Sequence, residues 1–107
     1  MALDDRIGAL FLVRELLADP SLTPENLVEK VSDQSKIPVK RLLGRDRYQP
    51  LVSYRQAIYY LYRQRFSLSF PEIARRTQRK DHTTIMSGIR AVESLLERYF
   101  SEGVVEE

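Results

Sequence analysis

Apolar residues along this chain recur every three or four positions, the spacing that places side chains on one face of an α-helix. The pattern fills four long segments, about residues 3–18, 24–35, 53–66 and 82–100. No segment alternates apolar and polar residues as a half-buried strand would. The chain is therefore predicted to be all-α, and its 107 residues suffice for one compact helical bundle around a single core.

Capping and helix-breaking residues divide this pattern into separate helices. Thr23, directly before a proline, is typical of the start of the second helix. Pro38 interrupts the chain again, and a short helical turn is predicted over 39–43, with Gly44 as its stop. A basic loop, residues 45–50, then leads into the third long helix.

The C-terminal half predicts two helices joined by a tight turn. Ser69 and Glu72 fit a capping box, in which the serine hydroxyl accepts from the Glu72 amide and the Glu72 carboxylate returns to the cap, so a short helix is expected over 71–77. After three polar residues, Asp81 is expected to cap the last helix. This arrangement is a helix-turn-helix, whose second helix fits the major groove of B-DNA. Helical bundles that bind no nucleic acid also contain it.

Charge is distributed unevenly along the chain. Residues 36–90 contain 13 basic and 3 acidic side chains, whereas residues 1–35 contain 3 and 7, and residues 91–107 contain 1 and 5. A local excess of positive charge attracts polyanions, and acidic flanks limit non-specific association. The middle block is therefore the predicted binding region, although scattered Lys and Arg can also serve only to solvate helix surfaces.

Composition excludes several classes of protein. With 43% hydrophobic and 30% charged residues, the chain is typical of a soluble globular protein. Its apolar runs, such as residues 9–13, are far too short to cross a bilayer, and no secretory leader is expected. No cysteine and one histidine leave no disulfide and no thiolate or His-rich metal site. We expect a cytoplasmic protein with no cofactor and no membrane partner.

Three motifs resemble those of a known family. They are KDHTTI at residues 80–85, FPEI at 70–73 and RQ at 55–56. The first is similar to a basic-Asp-His-Thr-Thr-aliphatic motif, the second to a Leu-Pro-Glu-Ile motif at the same separation, and the third to an Arg-Gln pair. All three occur in the C-terminal DNA-binding domain of the bacterial chromosomal replication initiator DnaA. The resemblance extends from Thr23 to Leu96 and implies a Trp-repressor-like helix-turn-helix fold.

The resemblance implies that four residues open the recognition helix and contact bases or phosphates in the major groove: Asp81, His82, Thr83 and Thr84. Hydroxyls, methyl groups and imidazole nitrogens suit base edges. Phosphate repels a carboxylate, so for Asp81 helix capping is favoured over contact with a cytosine amino group, and both interpretations stay open. For the other three, ordinary polarity of a helix N-terminus is the alternative.

The resemblance further implies that the basic loop enters the adjacent minor groove. Arg45 and Arg47 suit a narrow, strongly negative minor groove. The family has an arginine where this chain has Ser53, so the minor-groove contact is either absent or shifted to Arg47. The resemblance assigns phosphate contacts to three more residues: Arg55, Arg63 and Lys80. Charge alone suggests further phosphate contacts from Arg75, Arg76 and Arg79.

The turn of the helix-turn-helix departs from the family. Gln78 and Arg79 stand where the family usually has glycines, and Thr77 replaces an apolar residue. Because residues other than glycine are disfavoured at positive φ, the turn is expected to differ in shape.

The chain is interpreted as an N-terminal helix outside the family match (1–20), a DNA-binding domain (21–102) and a frayed tail (103–107). It lacks a G-x-x-x-x-G-K-[ST] phosphate loop, so neither ATPase activity nor nucleotide binding is expected. It is either a piece of a longer initiator or a short free-standing relative, and the unmatched first helix, beginning at Met1, favours the latter. That helix is expected to complete the core of a monomer, with a dimer through residues 3–18 as the alternative.

The leading functional hypothesis is sequence-specific binding of double-stranded DNA at a DnaA box-like site, in replication initiation or its regulation, at the nucleoid. A Trp-repressor-like transcriptional regulator would have to dimerise on a palindromic site. A helical protein-interaction adaptor would show no preference between DNA sequences. An enzyme is not expected, because the sequence offers no nucleophile-and-base constellation around its one histidine.

Overall fold

The computed structural model describes residues 5–101, which contain no strand and form six α-helices: α1 (Asp5–Leu17), α2 (Leu27–Ser35), α3 (Val39–Leu42), α4 (Leu51–Phe66), α5 (Phe70–Arg76) and α6 (His82–Leu96). A π-helical turn, Glu97–Ser101, continues from α6. The all-α prediction is confirmed. No helix among these residues is long and apolar enough to cross a membrane. The predicted frayed tail, 103–107, lies outside the described residues.

Helix α4 is the centre of the bundle and contacts every other α-helix. Its middle turns are buried on nearly all sides, since Ala57, Ile58 and Leu61 are at most 1% exposed and two tyrosines beside them are also buried. A helix that is apolar around most of its circumference is stable only when other elements surround it. The five remaining α-helices therefore pack around α4, which serves as the central helix of the bundle.

Helix α1 packs on α4 and α6 through one apolar face. The buried residues of this face are Ala9, Leu10, Leu12, Val13 and Leu16. The guanidinium of Arg65, on α4, donates to the carbonyls of Leu16 and Asp19 at 2.9 Å each, and so attaches the end of α1 to the central helix. The apolar stripe of the first helix thus completes the core of the chain, as expected from the sequence.

Three helix boundaries differ from those predicted. Helix α2 begins at Leu27 because Thr23 and Asn26 exchange side-chain bonds with each other's backbone amides, at 2.8 and 3.1 Å, which hold the preceding residues as a turn. Helix α4 begins two residues early, at Leu51, whose side chain is 1% exposed in the core. Helix α3 ends at Leu42, with Leu43 as its C-cap, and the next residue, a glycine, does not adopt a left-handed conformation.

Candidate nucleic-acid interface

The first turn of α6 presents polar side chains on a firmly packed helix. Asp81 is its N-cap, and the Asp81 carboxylate accepts from the backbone amide of Thr83 at 2.9 Å, so the capping interpretation is confirmed. His82, Thr83 and Thr84 are exposed. Ile85, one position further, is fully buried. The helix is therefore anchored by its apolar face while its N-terminal side chains are free to contact a ligand.

Helix α5 begins with half of the predicted capping box. The Ser69 hydroxyl accepts from the backbone amide of Glu72 at 3.2 Å, which confirms the first half. The predicted return of the Glu72 carboxylate to the cap is wrong, because that carboxylate instead accepts from Arg75 and from Arg76, whose Nε atom is 2.8 Å away. These bonds, that of Arg76 first, lower the pKa of Glu72. Both arginines thus pair with an acid within their own helix.

The turn between α5 and α6 keeps a left-handed residue although it contains no glycine. Gln78 has a φ of 60°, and its amide donates to the carbonyl of Arg75 at 3.3 Å. The amide of Arg79 donates to the carbonyl of Ala74 at 2.8 Å, which completes a Schellman motif. Thr77 is 2% exposed, and its hydroxyl donates to a helix carbonyl. The substitutions leave the backbone in a turn that usually requires glycine, at the cost of a strained glutamine.

The basic loop lies between α3 and α4 and exposes two unpaired cations. Arg45 and Arg47 are exposed and form no hydrogen bond or ion pair with any residue in 5–101. Where the loop enters α4, Ser53 is 3% exposed, and its hydroxyl donates to the side-chain oxygen of Gln49 at 2.7 Å. Ser53 is therefore committed to the internal structure of the loop, and only the two arginines offer charge to a partner there.

Arg55 lies beneath the basic loop and is 7% exposed. Its Nε donates to the carbonyl of Leu42 at 2.8 Å, an Nη donates to that of Arg41 at 2.7 Å, and the other Nη donates to that of Asp46. Burial lowers the pKa of Arg55, and the positive charge of Arg79 lowers it further. The sequence predicts a phosphate contact for Arg55, whereas in the structure two guanidinium nitrogens donate to carbonyls of α3 and the third donates to a carbonyl of the basic loop. Its place on the buried stripe of α4, four residues after Leu51, was the signal that could have indicated this.

Arg79 connects the helix-turn-helix to the basic loop. One Nη donates to the carbonyl of Gly44 at 2.8 Å, and Nε contacts the hydroxyl of Tyr59 at 3.2 Å. Charge alone suggested a phosphate contact for Arg79, and its internal contacts had no signal in the sequence. Together with Arg55, it gives the start of the basic loop two guanidinium supports.

An open cleft of about 660 Å³ separates the basic loop from the start of α6. It brings together seven of the nine residues predicted to bind DNA: Arg45, Arg47, Arg55, Lys80, Asp81, Thr83 and Thr84. Five basic side chains and one acidic side chain line it, since Arg79 also faces the cleft. Such a concave, predominantly positive surface concentrates field lines and favours a polyanion.

Two predicted DNA-binding residues lie outside the lining of this cleft. Arg63 is exposed on α4, two helical turns after Arg55, where it donates to the carbonyl of Leu68 at 2.9 Å and stacks 4.6 Å above the ring of Phe70. His82 is exposed at the start of α6. Both side chains are accessible to a ligand larger than the cleft itself.

The close approach of α6 to α4 sets the floor of the cleft. A Cβ atom at Gly88 would lie 2.8 Å from a ring carbon of Tyr59 and 3.2 Å from the side chain of Gln56. Only glycine therefore allows the two helices to pack at this distance. Sequence reasoning did not single out Gly88, because its requirement arises from a residue 29 positions away in the chain.

Comparison with known proteins identifies one family. The family model described as the bacterial dnaA protein helix-turn-helix matches residues 24–92. The chromosomal replication initiator protein DnaA of Ruegeria pomeroyi is 37% identical over 90 residues, covering 78% of this chain and 19% of that protein. The protein of the same name from Thermus thermophilus is 35% identical over 91 residues, covering 85% of this chain and 20% of its own length. That from Cereibacter sphaeroides is 37% identical over 79 residues, covering 74% and 17%.

The chain spans about a fifth of the length of the curated relatives it matches. No solved structure matches it. The similarity is therefore to one part of those longer proteins.

Proposed function

The chain belongs to the bacterial DnaA helix-turn-helix family, and from this premise we propose that it binds double-stranded DNA at a DnaA box-like site. The observation that supports this most directly is the basic cleft, which has exposed polar side chains of α6 on one side and two unpaired arginines of the basic loop on the other. A duplex offers a groove to each side and a negatively charged strand between them.

In this arrangement α6 enters the major groove. His82, Thr83 and Thr84 stand on its first turn, the part of a recognition helix that reaches base edges. Asp81 caps the helix and orients its neighbours. Lys80 lies beside the cleft, where it binds the phosphate backbone.

The basic loop contacts the adjacent minor groove on the other side of the same strand. Ser53 is buried and bonded to Gln49, so it cannot replace the arginine that the family has at this position. We assign the minor-groove contact to Arg47, with Arg45 beside it, since both are exposed and unpaired within residues 5–101. Arginine is favoured there because a narrow groove has an enhanced negative potential.

The two remaining predicted cations have different roles: Arg63 contacts the DNA and Arg55 supports the basic loop. Arg63 extends the basic surface along α4 beyond the cleft, where it contacts a phosphate of the same duplex. Arg55 contributes by holding the basic loop against α3, because its guanidinium donates to two carbonyls of α3 and to the loop carbonyl of Asp46. Arg63 should therefore add affinity and salt dependence to DNA binding, and Arg55 should add order to the basic loop.

The printed name of the relatives refers to chromosomal replication initiation. We infer from it that this chain acts on chromosomal DNA in replication initiation or its regulation, in the cytoplasm at the nucleoid. The chain supplies the DNA-binding part of such a function and, in the residues present, no nucleotide-binding loop.

A binding titration tests the proposal. The chain is titrated against a duplex with a DnaA box and against a scrambled duplex of the same composition, at two salt concentrations. We expect clear preference for the box and weaker binding at higher salt, since neutralised phosphates release counterions. Equal, salt-sensitive affinity for both duplexes would contradict box recognition and leave only non-specific DNA binding. No binding to either duplex would favour the protein-interaction adaptor.

A further inference from the structure

Arg79 is held in place both by its backbone amide and by its guanidinium group. Its backbone amide belongs to the Schellman turn after α5, where it donates to Ala74 at 2.8 Å. Its guanidinium reaches across to the basic loop, donating to the carbonyl of Gly44 at 2.8 Å, and contacts the hydroxyl of Tyr59 on α4. One residue therefore joins the helix-turn-helix, the central helix and the start of the basic loop.

Four backbone carbonyls over 41–46 accept hydrogen bonds from arginine side chains. Arg55 satisfies three carbonyls in this segment, and Arg79 satisfies a fourth, that of Gly44. Arg55 attaches the segment to α4, whereas Arg79 attaches it to the turn that leads directly into α6. Without Arg79 the carbonyl of Gly44 would have to turn to water, and the loop would lose its attachment to the helix-turn-helix.

The bond between Gly44 and Arg79 also joins the two sides of the cleft, the basic loop and the segment that leads into α6. Arg45 follows Gly44, and Lys80 follows Arg79, so each partner of this bond is the immediate neighbour of a cation that lines the cleft. The basic side chains that line the cleft repel one another in the free protein, and a polyanion that enters the cleft relieves this repulsion. The cleft is thus arranged for its ligand before binding.

We propose that Arg79 is a positioning residue that fixes the basic loop against the helix-turn-helix and thereby sets the spacing between the minor-groove and major-groove contacts. This inference rests on the proposed function. The resembled family usually has glycine at this place, and a glycine has no side chain to make the link. The link is a property of this chain, and it supplies order to a loop that lacks the family's arginine at Ser53.

A direct phosphate contact is the competing role for Arg79, and two variants separate the roles. Arg79→Lys keeps the positive charge and loses the planar guanidinium that bonds both partners, so it should preserve a phosphate contact and break the positioning link. Tyr59→Phe removes only the hydroxyl contact and leaves every charge in place. Because a phenylalanine fills the same buried site, this variant keeps the fold and tests the link without replacing Arg79.

The first arm of the experiment needs no DNA. Trypsin cleavage after Arg45 and Arg47 is followed by mass spectrometry in the free wild-type chain and in the two variants, with thermal unfolding as a check on the fold. Cleavage should be several-fold faster in Arg79→Lys, and to a smaller extent in Tyr59→Phe, because the released loop opens more often. Arg75→Ala, which removes an exposed arginine from α5, is the matched control and should cleave like wild type. Unchanged cleavage in Arg79→Lys would overturn the positioning role.

The second arm measures the consequence for DNA. The wild type and Arg79→Lys are titrated against a DnaA box duplex and against boxes with single A·T to G·C changes, and Arg47→Ala identifies the base pairs sensed through the basic loop. Arg79→Lys should lower affinity about tenfold and lose discrimination only at those pairs, with an unchanged salt slope. If Arg79→Lys binds like wild type while Arg79→Ala lowers the salt slope by about one, Arg79 is a phosphate contact and the proposal is wrong.

The two arms fail independently. If the wild-type chain does not bind the box duplex, the proposed function is wrong, and so is the assigned consequence for DNA. The protease arm still decides whether Arg79 holds the loop.

Discussion

The Nε atom of Arg55 lies 2.8 Å from the backbone carbonyl oxygen of Leu42, 13 positions earlier in the chain. The contact joins the central helix to the end of α3, and the remaining guanidinium nitrogens bind the carbonyls of Arg41 and Asp46. A charged side chain that is this deeply buried is tolerated because each of its three guanidinium nitrogens donates to a backbone carbonyl. Arg55 therefore serves the architecture of the basic loop first.

Replacing Arg55 by alanine should chiefly affect stability, whereas replacing Arg63 by alanine should chiefly affect DNA binding. Arg55→Ala should lower the free energy of unfolding by about 2–3 kcal/mol, because buried carbonyls lose charged donors and a void remains. Arg63→Ala should lower it by only about 1 kcal/mol, since the bond to Leu68 and the stacking on Phe70 lie at an exposed site, while lowering affinity for all duplexes and reducing the salt slope by about one. Urea unfolding and DNA titration at several salt concentrations measure both. Equal stability of the two variants would contradict the structural role of Arg55.

Thr83→Ala should reduce sequence preference without affecting the fold. Thr83 is exposed, and the capping bond to Asp81 uses its backbone amide, which alanine retains. The loss of one base contact should lower affinity for the box by about 1–3 kcal/mol and leave the scrambled duplex almost unaffected. Competition titrations with the two duplexes measure the difference. A loss of the same size on both duplexes would remove Thr83 from the residues that read bases.

Asp81→Asn should tighten DNA binding, and Asp81→Ala should weaken the helix. Asparagine retains the cap and removes a negative charge from the cleft, so affinity for box and scrambled duplexes should rise together. Alanine cannot cap α6 and should lower the free energy of unfolding by about 1 kcal/mol. DNA titration and urea unfolding distinguish the two effects. Loss of box preference in Asp81→Asn would instead indicate a base contact by the carboxylate.

Gly88→Ala should destabilise the chain although alanine is the better helix former. The added methyl would meet the ring of Tyr59 at 2.8 Å, and relieving that contact should cost about 1–3 kcal/mol, more than the gain of roughly 1 kcal/mol in helix propensity. Gly8→Ala is the matched control, because its Cβ would be at an ordinary 3.5 Å from the hydroxyl of Tyr54. The midpoint temperature of thermal unfolding should fall for Gly88→Ala and should stay level or rise for Gly8→Ala. A rise for both would show that α6 can shift freely on α4.

Asp19 should make stability depend on pH at the acid end. Its carboxylate accepts from the hydroxyl and amide of Ser21 and pairs with Lys30 at 3.1 Å, which lowers the pKa of Asp19 from 3.8 to about 2. Because the folded-state pKa is the lower one, the stabilisation is complete above about pH 4 and is lost as the pH falls through 2. Asp19→Asn should therefore lower the urea midpoint at pH 7 and match wild type near pH 2. Asp33→Asn, on an exposed and unpaired residue of α2, is the control.

A difference between Asp19→Asn and wild type that persists to pH 2 would show that the amide disturbs the turn for reasons other than charge. Such a result would contradict the predicted pH dependence of stability. It would not contradict the observed contacts of the Asp19 carboxylate with Ser21 and Lys30.

The sequence by itself predicts the helices and the helix-turn-helix, because the signals for them are local. Apolar spacing defines a helix face, and the side chains of Ser69 and Asp81 cap amides within three residues of themselves. The motif at 80–85 also locates the exposed start of α6, and the charge count locates the basic block. The same local signals misplace the start of α2, where Thr23 and Asn26 stabilise a competing turn.

Only the tertiary structure decides which arginines face a ligand and which hold the fold. Arg55 and Arg47 both belong to the basic block of the sequence, yet one is buried against carbonyls and the other is exposed. The bond from Arg79 to Gly44 spans 35 positions. The fit of Gly88 against Tyr59 likewise depends on how α6 packs on α4. Period and capping act within about one helical turn, whereas these contacts form only after the helices pack, so no local pattern contains them.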